Sequence, residues 1–290
     1  MGYLKKVLSR RHLVVVLVMI LFISEESPAI AVPSDQETMA IWSQSPPIDV
    51  LPRRFRFLNW NLQKGEGREL WLRDMTMLTG SFDIATFQEA VDGGWVGAYF
   101  RSLKYKTSIM ARSFVFDFGE HINQGTGVAL VSKFRASSIL AMRSRVFEPF
   151  LHSPKMILAG KYRFQDGGDL WMVTIHAINF VDQRDYENQI DQLEEFLRGL
   201  SGSIVVAGDF NTWNLWRDAK IDEVFARLGF THMSPNEDQR HLVLDHVFVK
   251  GCQVHDFVVR SDIKSSDHWP LQLNFDCSKD QESLLAKHTN

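Results

Sequence analysis

The sequence predicts an α/β protein with a mixed, mostly antiparallel set of strands and helices outside them. Three observations favour this class. A strand, a helix and a second strand follow one another between residues 55 and 89, which implies a parallel crossover. Five further strand candidates follow between residues 107 and 176, and Gly167-Gly168 indicates an antiparallel turn. Two amphipathic helices then flank a wholly apolar strand at 204–207.

The first thirty-one residues differ from the rest of the chain. Basic residues precede an unbroken apolar run at 13–23, and Ala29-Ile30-Ala31 offers small residues at the spacing of a cleavage site. This pattern is typical of a secretory signal, and the run is shorter than the ~20 residues of a membrane span. We therefore expect an exported protein, periplasmic or secreted. Residues 1–31 would be a cleaved signal or, through residues 12–23, an uncleaved anchor in the inner membrane.

Composition predicts one domain at 54–277, between a loose lead-in at 32–53 and a charged tail at 278–290. Of 32 basic and 35 acidic residues, residues 1–31 hold four and two, which leaves a net charge of −5. Proteins that hold nucleic acid through its phosphates usually carry a basic face. This balance indicates none. A small cluster of Lys104, Lys106 and Arg112 could contact phosphates, but a solvated surface is the favoured interpretation.

Two cysteines, Cys252 and Cys277, flank the last pair of predicted strands. A disulfide between them is plausible in an exported protein, and a pair of buried free thiols is the alternative. Their spacing fits no zinc site.

The elements are predicted in this order: strand 55–61, helix 70–78, strands 83–89, 107–110, 126–132, 137–142, 156–164 and 170–176, helix 184–200, strand 204–207, helix 216–228, and strands 242–249, 254–259 and 271–275. In the helix at 184–200, Ile190, Leu193 and Leu197 share an apolar stripe and Glu194 faces out. The strand at 242–249 holds Asp245 and His246 in its middle.

Six strand or loop ends carry amides, acids or histidines: Asn61, Glu89, His176, Asp209 with Asn211, Asp245, and Asp267 with His268. Each alone also fits a helix cap, a turn, a surface acid or a satisfied core histidine. A buried Asp245, however, needs a partner. Because open α/β folds bind ligands at the rim of the sheet, the repetition favours one pocket.

This set of side chains predicts phosphoester cleavage by an activated water. Glu89, with Asp267 or Asn61, is an all-oxygen set that suits Mg²⁺, with Mn²⁺ as a possible substitute. A histidine held by a carboxylate is a base near neutral pH, and amides or a second histidine donate to phosphoryl oxygens. No hydroxyl or thiol lies in a nucleophile motif, which argues against a covalent intermediate.

Six short motifs occur in a fixed order: Trp60-Asn61, Phe87-Gln88-Glu89, Ile175-His176-Ala177, Gly208-Asp209-Phe210-Asn211, Leu244-Asp245-His246 and Ser266-Asp267-His268-Trp269-Pro270-Leu271. The ordered set resembles the endonuclease/exonuclease/phosphatase superfamily over about residues 54–276. Residues 175–180 are similar to a bacterial subgroup with no assigned substrate. The resemblance implies a DNase I-like four-layer α/β/β/α sandwich and a divalent metal, usually Mg²⁺, on Glu89 with Asn61 and Asp267 beside it.

The same resemblance implies the catalytic roles. His268 would be the base or the residue that polarises the phosphate, and Asp245 would orient it. Asp209 would serve the attacking water or the leaving group. Asn211 and His176 would hold the phosphoryl oxygens. His246, beside Asp245, would act at most through its neighbours.

The substrate class stays open between nucleic acid and a lipid or small phosphoester. A nuclease needs a basic groove, which the net charge does not favour. For a lipid, four apolar residues after the strand at 204–207 offer a site mouth or else belong to the core: Phe210, Trp213, Leu215 and Trp216. A catalytically silent module that binds phosphate or nucleic acid is the alternative from another class. We expect a monomer, with a possible N-terminal membrane tether.

Overall fold

The computed structural model describes residues 30–43, 48–104, 106–116 and 123–278. All of the predicted leader except Ile30 and Ala31, and all of the predicted tail except Ser278, lie outside these residues. No helix within the described ranges is long and apolar enough to cross a membrane.

The described residues form these elements in chain order: β1 Ile30–Ala31, β2 Met39–Ser43, β3 Arg54–Asn61, α1 Arg68–Thr79, β4 Ile84–Val91, α2 Gly94–Ser102, β5 Thr107–Phe116, β6 Gln124–Ser132, β7 Ser138–Glu148, β8 Ser153–Arg163, β9 Asp169–His176, α3 Gln183–Arg198, β10 Ser203–Asp209, α4 Leu215–Arg227, β11 Thr231–Met233, β12 Asp245–Lys250, β13 Gln253–Val259 and β14 Leu271–Asp276. A short 3₁₀ turn, Gln63–Gly65, follows β3.

The elements form two mixed sheets packed face to face, which confirms the predicted class. The eight-stranded sheet has the order β1-β5-β6-β4-β3-β14-β13, with β2 also on β5, and the six-stranded sheet has the order β11-β12-β10-β9-β8-β7. Two pairs are parallel, β3 with β4 and β9 with β10, and each is joined through a helix. One apolar cluster fills the space between the sheets, and two more lie under the helices, one on each outer face.

Strand alternation decides which side chains point between the sheets, because successive residues of a strand face opposite sides. In β3, Phe55 and Phe57 belong to the central cluster, and Leu58 and Trp60 pack under α1. Asn61 therefore shares the inner face with Phe55 and Phe57. The same alternation in β9 and β10 aims His176 and Asp209 inward.

The segment predicted as a loose lead-in belongs partly to the sandwich. Strand β2 pairs with β5, and Leu51 has no exposed surface. Arg143 of β7 donates to the carbonyl oxygen of Pro33 at 2.6 Å, which fastens this segment to the six-stranded sheet. The expectation of a loose segment is therefore wrong for these residues, because pairing with a distant strand leaves no mark on local composition.

Three further expectations need correction. Strand β12 begins at Asp245, so this residue starts the strand and does not lie in its middle. No element is predicted at 94–102, where helix α2 forms. Glu194, expected to face out, is 9% exposed and accepts hydrogen bonds from two arginines. Those hydrogen bonds, the first from Arg227, lower the pKa of Glu194 to about 2 and link α3 to α4.

The two cysteines form a disulfide, so the alternative of two free thiols is wrong. The Cα atoms of Cys252 and Cys277 are 4.1 Å apart, and the bond ties the start of β13 to the end of β14. The described residues contain no free cysteine.

Candidate active site

The two parallel strand pairs end at the same end of the sandwich, here called the site end. Asn61 at the end of β3 and Asp209 at the end of β10 are both buried. The Asn61 Nδ2 donates to Asp209 Oδ2 at 2.9 Å, so the two sheets meet through a polar contact between predicted site residues. One residue before Asp209, a Cβ at Gly208 would lie 2.0 Å from the carbonyl oxygen of Ile175, so the pairing of β10 with β9 at this point requires glycine.

Asp209 is the hub of the cluster. Its Oδ2 lies 3.5 Å from His176 Nε2 and 3.8 Å from His268 Nε2. Its Oδ1 accepts the backbone N–H of Asn211 at 2.9 Å. Burial, with the charge of Asp245, raises the pKa of Asp209 to about 6, against the opposing effects of His268 and the hydrogen-bond donors. The raised pKa makes Asp209 a stronger base than an ordinary aspartate.

His268 and Asp245 form a buried pair. The distance between His268 Nδ1 and Asp245 Oδ2 is 2.7 Å. Burial acts to lower the pKa of His268, but the charges of Asp245 and Asp209 outweigh it and hold that pKa well above its usual range. The Trp60 indole donates to the His268 carbonyl oxygen at 2.9 Å, and Ser266 Oγ accepts the His268 N–H at 3.1 Å. The imidazole is therefore fixed, with its Nε2 edge turned toward Asp209.

The register of β12 explains why Asp245 joins the site and His246 does not. Asp245 pairs with Asp209 across the antiparallel strands, so both face inward, and His246 points to the outer face. There the His246 Nε2 is 2.7 Å from Thr212 Oγ1, and its Nδ1 is 3.0 Å from His232 Nε2. Burial lowers the pKa of His246 to about 3. His246 therefore contacts the loop after β10 and His232 of β11, away from the cluster at Asp209, in line with an indirect role.

His176 and Asn211 lie on the six-stranded side of the cluster. Burial, and then the charge of Lys155, lowers the pKa of His176 well below its usual range, so this imidazole is neutral. Asn211 has a left-handed backbone with φ of 51°, and its Nδ2 donates to the Ala177 carbonyl oxygen at 2.8 Å. One of its two amide hydrogens is thus used inside the protein, which leaves one for a ligand.

Glu89 reaches the site through an irregularity in β4. Its φ is 51°, and the register of β4 against β6 shifts between Phe87 and Ala90. Regular alternation would put Glu89 on the outer face with Phe87, and the irregularity turns it to the site end. Its Oε2 accepts from Lys64 Nζ at 2.5 Å. Burial acts to raise the pKa of Glu89, but the positive charge of Lys64 and its hydrogen bond, together with the charge of Lys155, outweigh it and lower that pKa well below its usual range.

The residues predicted to hold Mg²⁺ fit that ion in chemical type. Mg²⁺ binds proteins through one or two carboxylates and keeps several waters. Glu89 and the exposed Asp267 both act electrostatically on the Lys64 ammonium, so the space between them already suits a cation. In the described ranges no group of three His, Cys, Asp or Glu side chains converges on a metal position. An ion bound at Glu89 would have to share that carboxylate with Lys64.

Sequence reasoning missed two residues of the site. Lys64 lies three positions after Asn61, and the glycine-rich turn that starts at Gln63 is the sequence feature that could have indicated it. Lys155 on β8 contacts Glu148 at 3.4 Å and adds a positive charge near His176. Neither lies in a recognisable motif, because each acts through neighbours that are distant in sequence.

The four apolar residues after β10 were expected either in the core or at the site mouth, and two are found in each kind of position. Phe210 is fully buried, and Trp216 is partly buried against Tyr186, so both belong to the core. Trp213 is 46% exposed and Leu215 is 88% exposed. The last two therefore remain available at the site end.

Of the small basic cluster, Lys104 is exposed, and the other two residues make contacts within the fold. Lys106 is buried and donates to the Thr79 carbonyl oxygen at 2.8 Å. Arg112 pairs with Asp92 and donates to the Glu37 carbonyl oxygen at 2.6 Å. Both cations are thus occupied within the fold.

Two mixed sheets face to face, with a polar cluster at the ends of their parallel strands, define a DNase I-like α/β sandwich. The model of the Endonuclease/Exonuclease/phosphatase family matches residues 58–268, and the chain belongs to this family. Curated relatives include a UPF0294 protein of Vibrio cholerae, 31% identical over 232 residues, which cover 78% of this chain and 79% of the relative. A UPF0294 protein of Vibrio parahaemolyticus is 29% identical over 235 residues, 75% of this chain and 76% of the relative.

Solved structures share the fold at low sequence identity. An endonuclease/exonuclease/phosphatase from Beutenbergia cavernae has a TM-score of 0.61 at 15% identity and covers 77% of this chain and 72% of its own. The human Nocturnin catalytic domain with bound sulfate anion has a TM-score of 0.57 at 15% identity, over 82% and 97% of the two chains. ANGEL2, a 2',3'-cyclic phosphatase, has a TM-score of 0.57 at 13% identity, also over 82% and 97%.

Proposed function

We propose that this protein is a divalent-metal-dependent phosphoric ester hydrolase that cleaves a P–O bond with an activated water. The observation that carries the proposal is the arrangement of His268 between two buried carboxylates, 2.7 Å from Asp245 and 3.8 Å from Asp209. A structural role alone does not require an imidazole edge turned toward a second buried carboxylate. Membership of the family, in which phosphoric ester hydrolases occur, supports the same reaction class.

The proposal gives each side chain a role that its contacts support. Asp245 fixes His268 through Nδ1, so that Nε2–H donates to a phosphoryl oxygen and stabilises the charge that develops there. Asp209 accepts a proton from the attacking water, and the Asn61 amide and the Asn211 N–H hold its carboxylate in place. The neutral His176 and the remaining amide hydrogen of Asn211 orient the phosphoryl group.

Glu89, with Asp267 and Asn61 beside it, would hold the Mg²⁺ ion. When bound, the ion would supply positive charge that polarises the phosphoryl oxygens. The Lys64 ammonium would then lie beside the ion and add to the positive charge.

We also propose that the protein is exported. The pattern of residues 1–31 supports export, and so does the Cys252–Cys277 disulfide, since such bonds persist in oxidising compartments. A fusion of residues 1–40 to a reporter that is active only outside the cytoplasm would test this. An inactive fusion would contradict export.

One observation favours a second candidate, a catalytically silent module that binds phosphate. The Glu89 carboxylate is already neutralised by Lys64, so a phosphate group could be held without a metal ion. Hydrolysis of bis-p-nitrophenyl phosphate by purified protein separates the two functions, because a binding module does not turn it over.

The His268→Ala variant tests the proposed site directly. We expect a loss of at least ~10³-fold in the rate of diester hydrolysis, since acid–base and charge-stabilising contributions are each worth ~10²–10⁴-fold. The matched control is His255→Ala, which removes an imidazole that is 55% exposed on β13. Equal rates for the two variants would mean that His268 does not take part.

A further inference from the structure

Four large apolar side chains are exposed together at the site end. We call this set the apolar rim: Phe150, 71% exposed, Phe180, 59%, Trp213, 46%, and Leu215, 88%. Phe150 lies in the turn between β7 and β8, Phe180 follows β9, and Trp213 and Leu215 follow β10. Because β8 is antiparallel to β9, the turn before β8 lies beside the end of β9 at His176. Single exposed apolar residues are ordinary, but a cluster at a site marks a contact surface.

The rim is held in a fixed shape that exposes its rings. Phe180 has a φ of 56°, a conformation that a bulky residue adopts at an energetic cost. Its ring packs edge-on against Phe150, with centroids 5.9 Å apart. The Trp213 indole donates to Asn179 Oδ1 at 3.1 Å, and the Asn179 N–H donates to Glu148 Oε1 at 2.8 Å. These contacts hold the rings of Phe180 and Trp213 in exposed positions.

Arg217 contacts both of the loops that carry Phe180 and Trp213. It is 1% exposed, and its guanidinium lies 4.6 Å from the Trp213 ring centroid and 4.2 Å from that of Tyr186. It donates to three carbonyl oxygens in the loops after β9 and β10, those of Ile178, Asn211 and Val181. Since the Asn211 carbonyl oxygen is one of them, Arg217 connects the loops that carry Phe180 and Trp213 to the backbone at Asn211.

We propose that the apolar rim seats the site end on a lipid surface, and that the substrate is a phosphodiester lipid whose headgroup phosphate enters the cluster at Asp209. This inference rests on the proposed function. Aromatic and aliphatic side chains on one face are typical of proteins that lie in the membrane interface.

The chemistry of the rim favours lipid over single-stranded nucleic acid. Nucleic acid binding combines stacking rings with a basic groove. The most exposed member of the rim, Leu215, is aliphatic and offers no ring to a base. Two nearby cations are occupied, because Lys155 pairs with Glu148 at 3.4 Å and Arg217 is buried between rings. The whole chain carries a net charge of −3.

The path of the chain adds an independent argument. Strand β1 pairs with the last residues of β5, at Val115 and Phe116. The end of β5 lies at the site end, because β5 is antiparallel to β6 and β6 is antiparallel to β4. Six residues separate the apolar run at 13–23 from Ile30, a reach of at most about 25 Å. The most apolar segment of the sequence therefore joins the sandwich at the end that carries the rim.

The test mixes the full-length chain with vesicles of phosphatidylcholine and phosphatidylglycerol. A polarity-sensitive fluorophore is attached at Phe180→Cys, and in a second protein at Leu215→Cys, since the native cysteines are paired. The control label replaces Met77, which is 52% exposed near the end of α1 that leads back to the start of β4, away from the site end. We expect blue-shifted emission and quenching by brominated lipid at 180 and 215, and neither at 77.

Two other outcomes would overturn the proposed lipid contact. Labels at 180 and 215 that stay in water, like the label at 77, would overturn the proposal. A shift with a single-stranded oligonucleotide but not with lipid would assign the rim to nucleic acid and overturn it as well. Turnover of bis-p-nitrophenyl phosphate by the labelled chains is measured in parallel. Turnover without lipid contact refutes only the proposed role of the apolar rim. Lipid contact without turnover refutes the proposed function and, with it, the proposed lipid substrate.

Discussion

The Asp245→Asn variant probes the part of the account that depends most on electrostatics. The substitution keeps the size of the side chain and removes the charge that lies 2.7 Å from the His268 Nδ1. Two unit charges about 4 Å apart interact by about 4 kcal/mol at an effective dielectric constant of about 20. Since each ~1.4 kcal/mol corresponds to a factor of ten in rate, the loss of this interaction should lower kcat by about 10³-fold.

The assay is steady-state hydrolysis of bis-p-nitrophenyl phosphate, with thermal unfolding measured on the same samples. Breaking a buried pair can cost ~3–5 kcal/mol of stability, so the rate is compared only at temperatures where the variant is folded. The matched control is Asp218→Asn, which changes a carboxylate that is 44% exposed on α4. We expect the control to keep the rate of the unaltered protein.

A folded Asp245→Asn variant with a rate within about threefold of the unaltered protein would refute the reasoning. In that case the contact between Asp245 and His268 would serve the fold and not the reaction.

Three further predictions concern the metal, the disulfide and acid stability. Lys64→Met removes the ammonium that neutralises Glu89, so we expect calorimetry to show Mn²⁺ binding about tenfold more tightly, a gain of ~1.4 kcal/mol; unchanged affinity would mean that Lys64 does not compete for that carboxylate. Reducing the Cys252–Cys277 bond should lower the free energy of unfolding by about 2–4 kcal/mol in urea, and an equal midpoint with and without reductant would contradict this. The pKa of Glu194 is lowered from 4.5 to about 2, so its stabilising effect is complete above pH 4.5 and is lost as the pH falls toward 2. Glu194→Gln should therefore cost about 1 kcal/mol at pH 7 and almost nothing at pH 2, and a cost that does not vary with pH would exclude the ionic contribution.

Much of the site follows from the sequence, because strand alternation is a local property. Once β3, β9 and β10 are recognised as strands, their last residues fall on defined faces, and Asn61, His176 and Asp209 share the inner one. The same rule separates Asp245 from His246, although the expected strand began three residues too early.

Other features depend on contacts that no local pattern records. Glu89 turns to the site end only because β4 loses its regular register, and its partner Lys64 lies in an irregular turn. Strand β2 forms by pairing with β5, far along the chain, so composition alone suggested a loose segment. The apolar rim was anticipated only at Trp213 and Leu215, because Phe150 joins it through the antiparallel packing of β8 on β9.

Hydrolysis of bis-p-nitrophenyl phosphate in ¹⁸O-labelled water tests the central claim most directly. In the presence of Mg²⁺, we predict turnover that adds one ¹⁸O atom to the p-nitrophenyl phosphate product and none to p-nitrophenol, because water attacks phosphorus and the P–O bond breaks. Turnover should cease when the metal is chelated and should be lost in His268→Ala. Absence of turnover with Mg²⁺ or Mn²⁺, or ¹⁸O found in p-nitrophenol, would contradict the account.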